Sequence, residues 1–378
     1  MLTIAVSSIV QLEPAPYDLL LVLLIGSAFV SGNLKYYPDH FWPVICLLLF
    51  LGANLFSLFF VQDFGVASYY FIITVYCIAA WAGIVGIGTY FGPRLFQLIF
   101  FAYIIAAIMV VIPGITAYLH PASGLDFFLW EGRVQGLFKD PNVFGPFLIP
   151  PALFALWKIG SKKQAAATTF FWILFFIILT LGVLLSFSRA AWGHFILASG
   201  IYFLFINDAQ TKRMRTLFIL TIVFIPVLIY AVMATSIGDL FFDRLGLQGY
   251  DQVRFQKQGA SLEYMIVYPL GFGPGQSELF LNHSTHNLFI RIVSENGLFG
   301  GIFFSLFYLL SLWRAIYMGR VAPAHFRGFF IIITASLLGI LFNSIFIDTM
   351  HWRHFWLLLA LPWIYMKQEI VSKKYRTL

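Results

Sequence analysis

The chain is 378 residues long, 61% hydrophobic and only 10% charged, with a mean hydropathy of +0.88. That balance excludes a water-soluble globular protein. The net charge of +7 does not mark a nucleic-acid binder either, because the basic residues are parcelled out among the connections between apolar runs. Only helices or closed barrels satisfy the backbone in lipid, and apolar runs of about twenty residues indicate helices, since barrel strands alternate over roughly ten.

In chain order, apolar runs occupy 17–33, 41–60, 66–89, 95–118, 142–158, 168–187, 190–206, 215–235, 286–312, 326–347 and 353–367. These eleven spans, or twelve if residues 1–12 begin a further helix, predict an all-α polytopic membrane helix bundle with one long outward loop. Alternating the connections puts Lys35, Arg94, Lys158, Lys162, Lys163, Lys212, Arg213, Arg215, Arg314, Arg320, Arg327, Lys367, Lys373, Lys374 and Arg376 on one side. These are 15 of the 23 basic residues, against the acids Asp39, Asp208 and Glu369. The positive-inside rule makes that side cytoplasmic. Residues 119–141, 236–285 and 348–352 then face outward, as does the N-terminus for an odd number of spans. Met1 to Val10 lack the basic region and cleavage site of a signal peptide. Cys46 and Cys77 both fall in apolar runs, which argues against a disulfide framework.

Residues 1–118 read as N-terminal transmembrane scaffold, 119–312 as the core that includes the outward loop 236–285, and 313–378 as C-terminal helices with a basic cytoplasmic tail. Within the scaffold, Gly83, Gly86 and Gly88 have the small-residue spacing that lets membrane helices approach closely. No fixed-period repeat or low-complexity segment is visible.

The core carries the polar chemistry. Asp140-Pro141-Asn142 reads as a turn and cap leading into the next span. Arg133 lies on the outward side against the charge bias, so it is either a functional cation or the partner of Glu131. Arg189 falls at the outer boundary beside Trp192. It is either a snorkelling side chain or a cation facing an anion inside the bundle. The loop 236–285 is longer than a plain connection requires and holds Arg244, Arg254 and Lys257. If Val253 to Tyr268 is a helix lying along the membrane, Arg254 and Lys257 are neighbours. The run Gly271-Phe272-Gly273-Pro274-Gly275 matches no nucleotide-binding fingerprint and reads as a bend. His286-Asn287 opens the next span, with Arg291 five residues on. An imidazole where a polar loop re-enters the bilayer can accept a proton near neutral pH, so His286 is a candidate general base. His283 and His286, and again His351 and His354, form H-x-x-H pairs. No carboxylate or cysteine completes a familiar ligand set, so neither a metal nor another cofactor is expected.

Four landmarks stand in order. They are Gly132-Arg133 through Pro141-Asn142-Val143-Phe144-Gly145; Ser188-Arg189-Ala190-Ala191-Trp192; Arg254 followed by Pro269-Leu270-Gly271-Phe272-Gly273-Pro274-Gly275; and His286-Asn287 followed by Glu295-Asn296-Gly297-Leu298-Phe299-Gly300. Over roughly residues 130–300 this pattern resembles the bacterial O-antigen ligase and polymerase superfamily of membrane glycosyltransferases. The resemblance implies transfer of a glycan from an undecaprenyl-diphosphate donor to a glycan or lipid A-core acceptor, at the outer face of the inner membrane. It also implies that Arg189 and Arg254 bind the diphosphate with Arg133 and Arg291 as further partners, and that His286 activates the acceptor. The chemistry is compatible, because fixed arginines in a low-dielectric site stabilise a departing diphosphate without a metal. A single displacement would invert the anomeric carbon. The rival expectation is a transporter, such as a polysaccharide or lipid-linked glycan flippase. Transporters often show inverted repeats, broken spans near mid-membrane and charges lining a cavity. Here no repeat is visible and the polar residues cluster at one face.

Overall fold

The protein is an all-α polytopic helix bundle; the computed structural model describes residues 1–160, 165–206, 249–281 and 285–364. In chain order the helices are α1 (Leu2–Ala5), α2 (Pro16–Val30), α3 (Phe41–Ser57), α4 (Phe64–Phe91), α5 (Leu95–Leu119), α6 (Pro141–Phe147) and α7 (Ile149–Ile159). They continue with α8 (Ala166–Leu185), α9 (Arg189–Phe205), α10 (Gly249–Val267), α11 (Ser277–Leu281), α12 (Leu288–Val321), α13 (Ala324–Ser344) and α14 (Arg353–Ala360). Two-residue strands β1 (Leu129–Trp130) and β2 (Arg133–Val134) pair antiparallel between α5 and α6.

Among the described residues, seven helical segments are long and apolar enough to cross a membrane. They coincide with the runs expected at 41–60, 66–89, 95–118, 142–158, 168–187, 286–312 and 326–347. The runs at 17–33, 190–206 and 353–367 form the shorter helices α2, α9 and α14. The run at 215–235 lies outside the described residues, as do Arg244 and His283. Residues 1–12 contribute one helical turn, α1, too short to span a bilayer.

Local chemistry sets the helix ends. Asp63 caps α4 by accepting from the Val66 N–H at 3.0 Å, and Gly92, with φ 78°, terminates it. Asp140 caps α6 by accepting from the Asn142 N–H at 2.7 Å, with Pro141 at the first helical position. Interior and lipid both accept apolar side chains, so these helices are apolar all round and size decides which face is buried. A Cβ on Gly83 would sit 2.3 Å from Ile25 Cδ1, and one on Gly88 would sit 2.5 Å from Ile364 Cδ1. The two glycines therefore mark where α2 and the segment after α14 press on α4. Stacked rings fill the interior, including Phe307 on Trp356 (6.0 Å) and Phe100 on Phe154 (5.1 Å).

Helix α12 is broken at Gly297, whose φ of 71° and ψ of 176° leave the helical region. The groups this break frees are taken up by the backbone of the Pro269–Gly273 loop. Phe272 N–H donates to the Ser294 carbonyl (3.1 Å), Gly273 N–H to the Glu295 carbonyl (2.9 Å), and Leu298 N–H to the Pro269 carbonyl (3.1 Å). The glycine-rich run is thus more than a bend: it is backbone docked into a broken helix. Gly271 and Gly297 allow the approach, since a Cβ on Gly271 would lie 2.4 Å from the Glu295 carbonyl oxygen.

Candidate functional site

The turns before α4, β2, α6, α9, α12 and α14 share one end of the bundle, called the loop end here. There β2 delivers Arg133 into a buried position, where Nε donates to the Ser186 carbonyl (2.9 Å) and Nη2 to Asn142 Oδ1 (3.1 Å). Ser186 belongs to the turn between α8 and α9. Ser188 caps α9 by accepting from the Ala191 N–H, and Arg189 is the first residue of that helix. Arg133 therefore braces the turn that presents Arg189.

His286 precedes α12, and its side chain is half-buried. Asn287 fixes it in place. Its Oδ1 accepts from the Phe289 and Ile290 N–H groups (both 3.0 Å), and its Nδ2 donates to the Ile345 carbonyl (2.9 Å). On the other side, Gln258 of α10 donates to the Thr285 carbonyl (3.0 Å). Arg254 lies one turn earlier in α10, the helix that the sequence had left conditional; only its backbone is described.

Packing joins these groups. One turn after Arg189, Gly193 meets Phe342 of α13 so closely that a Cβ would come within 2.3 Å. Three residues past Phe342 is the Ile345 carbonyl that holds Asn287. The starts of α9 and α12 and the end of α13 thus converge. Backbone strain is concentrated here too. Among the described residues the non-glycine positions with positive φ are Glu131 (48°), Phe187 (45°) and His286 (46°). Two neighbour Arg133 and Arg189, and the third is the candidate base. Residues held in the left-handed region persist only where surroundings over-determine them, and such positions gather at functional sites.

Arg291 is placed differently from Arg189. It is buried, with Nη1 on Asp348 Oδ2 (2.6 Å), Nε on Glu295 Oε1 (3.1 Å) and its guanidinium over the Tyr70 ring (5.1 Å). Glu295 in turn accepts from the Gly275 (2.9 Å) and Ser277 (3.3 Å) N–H groups. Gln276 staples the same loop to the start of α4, accepting from the Gln62 and Asp63 N–H groups (both 3.0 Å). Two carboxylates answer one guanidinium, so the charge of Arg291 is already committed. Its Nη2 nevertheless has no partner among the described residues. A cavity of about 10 Å³ beside it, lined by Thr74, Arg291, Glu295 and His351, has room for about one water.

Burial pushes the pKa of His351 down to about 4, reinforced by Arg291 and Arg353 and opposed by Asp348. Burial alone would raise the Asp348 carboxyl, but the Arg291 guanidinium and His351 hold it below the usual carboxylate value. Sequence reasoning named Glu295 only as part of a landmark and did not single out Asp348, Tyr70 or Gln276. The one available signal was Asp348, an isolated acid between two apolar runs.

Comparison of the chain with protein-family models and with curated proteins gives no match.

Proposed function

We propose that the protein is a membrane glycosyltransferase that moves a glycan from an undecaprenyl-diphosphate carrier to an acceptor hydroxyl, on a glycan end or on lipid A-core. In this reading the loop end faces outward from the bacterial inner membrane, consistent with the basic connections Lys35, Arg94, Arg320 and Arg327 at the other end. The observation that carries the reading is the convergence at one point of strained His286 with the helix start that bears Arg189, itself braced by Arg133.

His286 takes the proton of the acceptor hydroxyl as its oxygen attacks the anomeric carbon. The bond from that carbon to the diphosphate oxygen breaks, and the undecaprenyl diphosphate leaves with the electron pair. Arg189 and Arg254 meet the growing negative charge as fixed cationic donors. Arg291, buried and with its charge answered by Glu295 and Asp348, acts as a strut that ties the start of α12 to the turn before α14. An apolar groove of about 300 Å³, lined by Leu48, Leu49, Phe56, Leu270 and Phe299, opens toward lipid. Asn296 lines both this groove and the small polar cavity beside Arg291, so an apolar tail and a polar head have adjoining places.

The broken helix α12 favours a second reading, a transporter of lipid-linked glycan. Against it, the break is filled by the chain's own loop backbone. Single-turnover transfer in nanodiscs, from an undecaprenyl-diphosphate oligosaccharide, separates the two. A new glycosidic bond that depends on His286 and Arg189 is expected. Movement of the donor across the bilayer without bond formation would replace the transferase with the transporter.

A further inference from the structure

Away from the loop end, three helix ends are locked together by rings. Phe96 of α5 stacks on Phe329 of α13 (5.6 Å), Phe100 of α5 on Phe154 of α7 (5.1 Å), and Phe154 on Phe329 (5.9 Å). Trp157 presses into the same corner, since a Cβ on Gly328 would lie 2.2 Å from its Cε2. Three cations border this stack. Arg94 precedes Phe96 by two residues, Arg327 precedes Phe329 by two, and Lys158 follows Phe154 by one turn. From the helical rise, each stands about 3–6 Å nearer the end of the bundle than the ring beside it.

Among the described residues no carboxylate pairs with any of the three. Lys158 Nζ is half-enclosed by ring faces, over Phe101 (5.5 Å), Phe154 (5.2 Å) and Trp157 (5.2 Å). Ring faces attract a cation without neutralising it. Arg327 Nη2 donates to the Ala322 carbonyl at 3.5 Å, and both Arg94 and Arg327 are exposed. Arg314 at the same end is treated otherwise, with Asp39 beside it. Charge bias across the membrane accounts for basic residues here. It does not account for Arg94 and Arg327 at the starts of α5 and α13, where the helix dipole opposes a cation. Leu98, 47% exposed and one turn from Arg94 along α5, carries the same face toward mid-bilayer.

We propose that Arg94, Lys158 and Arg327 bind the phosphate of an anionic phospholipid in the leaflet at this end of the bundle. The rigid ring corner fixes the cations at the depth where the spans end, which is the depth of a headgroup. An acyl chain below that phosphate lies along Leu98. A free phosphate would gain nothing from that apolar continuation, so the source is a lipid. The site is independent of the transferase reading: it lies at the other end of the molecule and its test involves no glycan.

The experiment is native mass spectrometry of the full chain in detergent, titrated with dioleoyl phosphatidylglycerol or dioleoyl phosphatidylcholine. The glycerol lipid is expected to bind at least about tenfold more tightly. Lys158→Gln keeps the rings and removes one charge, and it should weaken that binding about fivefold. Arg94→Gln should do the same; its side chain is exposed, so the test survives if Lys158→Gln fails to fold. Lys35→Gln removes an equal charge from the α2–α3 connection, at the same end but outside the ring corner, and should leave the affinity unchanged. Equal binding of the two lipids would overturn the site. Equal weakening by Lys35→Gln and Lys158→Gln would replace it with a diffuse basic surface. Displacement of phosphatidylglycerol by millimolar inorganic phosphate would assign the cations to a free anion and overturn the lipid.

Discussion

Helix α12 buries an arginine near each of its ends, and the bundle treats the two differently. Away from the loop end, Arg314 donates to the Pro362 carbonyl (3.1 Å), approaches Asp39 (3.6 Å) and lies over Trp363 (4.7 Å). That tryptophan is itself tied down, donating to Ser311 Oγ (3.0 Å), while its carbonyl meets a His40 ring nitrogen (3.0 Å). At the loop end, Arg291 faces two carboxylates, has a buried Nη2 with no partner among the described residues, and stands one turn from a histidine in left-handed conformation. An arginine that only anchors a helix needs no strain around it. Among the described residues, non-glycine backbone strain is kept at the end where chemistry is proposed.

The sharpest way to break this comparison is through activity. His286→Ala should lower single-turnover transfer by about 10²–10⁴, the usual worth of a general base, with the melting temperature unchanged. Arg314→Met should do the opposite, lowering the melting temperature while folded molecules keep their rate. Equal losses of rate in both would mean that the two ends do not divide the work.

Stability separates the arginines next. Removing Arg291 strands Glu295 and Asp348 in a buried place, so Arg291→Met should cost about 3–5 kcal/mol in denaturant unfolding. Adding Glu295→Gln and Asp348→Asn should recover part of that loss. If Arg291→Met melts like the wild type and only donor affinity falls, the arginine is a ligand and not a strut.

A smaller effect tests the docked loop. Gly271→Ala combines a φ of 85° with a Cβ 2.4 Å from the Glu295 carbonyl oxygen, and it should cost about 3 kcal/mol. Gly124, with φ 72° and nothing within 4 Å of its Cβ position, should lose only about 1 kcal/mol on the same change. Thermal unfolding of the two variants side by side gives the difference. Equal losses would show that contact with α12 adds nothing beyond local backbone preference.

Span positions were legible because a twenty-residue apolar run has one physical solution in lipid. The start of α12 was legible for the same kind of reason, since Asn287 is a good capping residue at the edge of an apolar run. The break at Gly297 was not, because a lone glycine within an apolar run also fits an unbroken helix. Its cause lies some twenty-five residues earlier, in a loop whose backbone, not its side chains, makes the contact. The partners of Arg291 were hidden likewise. Glu295 shares its helix, but Asp348 and Tyr70 reach it from distant segments, and nothing local in the sequence encodes that meeting. Apolar periodicity was equally silent about which helices touch, since lipid and interior favour the same side chains.

A last effect is a pH dependence to which the loop end contributes through His351. His351 has a native pKa of about 4, below its ordinary value of 6.5, so it is neutral in the folded protein at neutral pH. Between those two values the unfolded chain binds the proton and the folded one does not. Stability contributed by His351 is therefore complete above 6.5 and falls as the pH drops toward 4, with no further loss below. Asp348, held under its ordinary 3.8, adds a second loss that begins only below that value. Melting temperature measured against pH should decline in these two stages. His351→Gln should make the upper stage shallower by the share that His351 contributes and leave the lower one intact. If the variant keeps the full slope between 6.5 and 4, the acid sensitivity arises from other buried groups and His351 is not the group that titrates there.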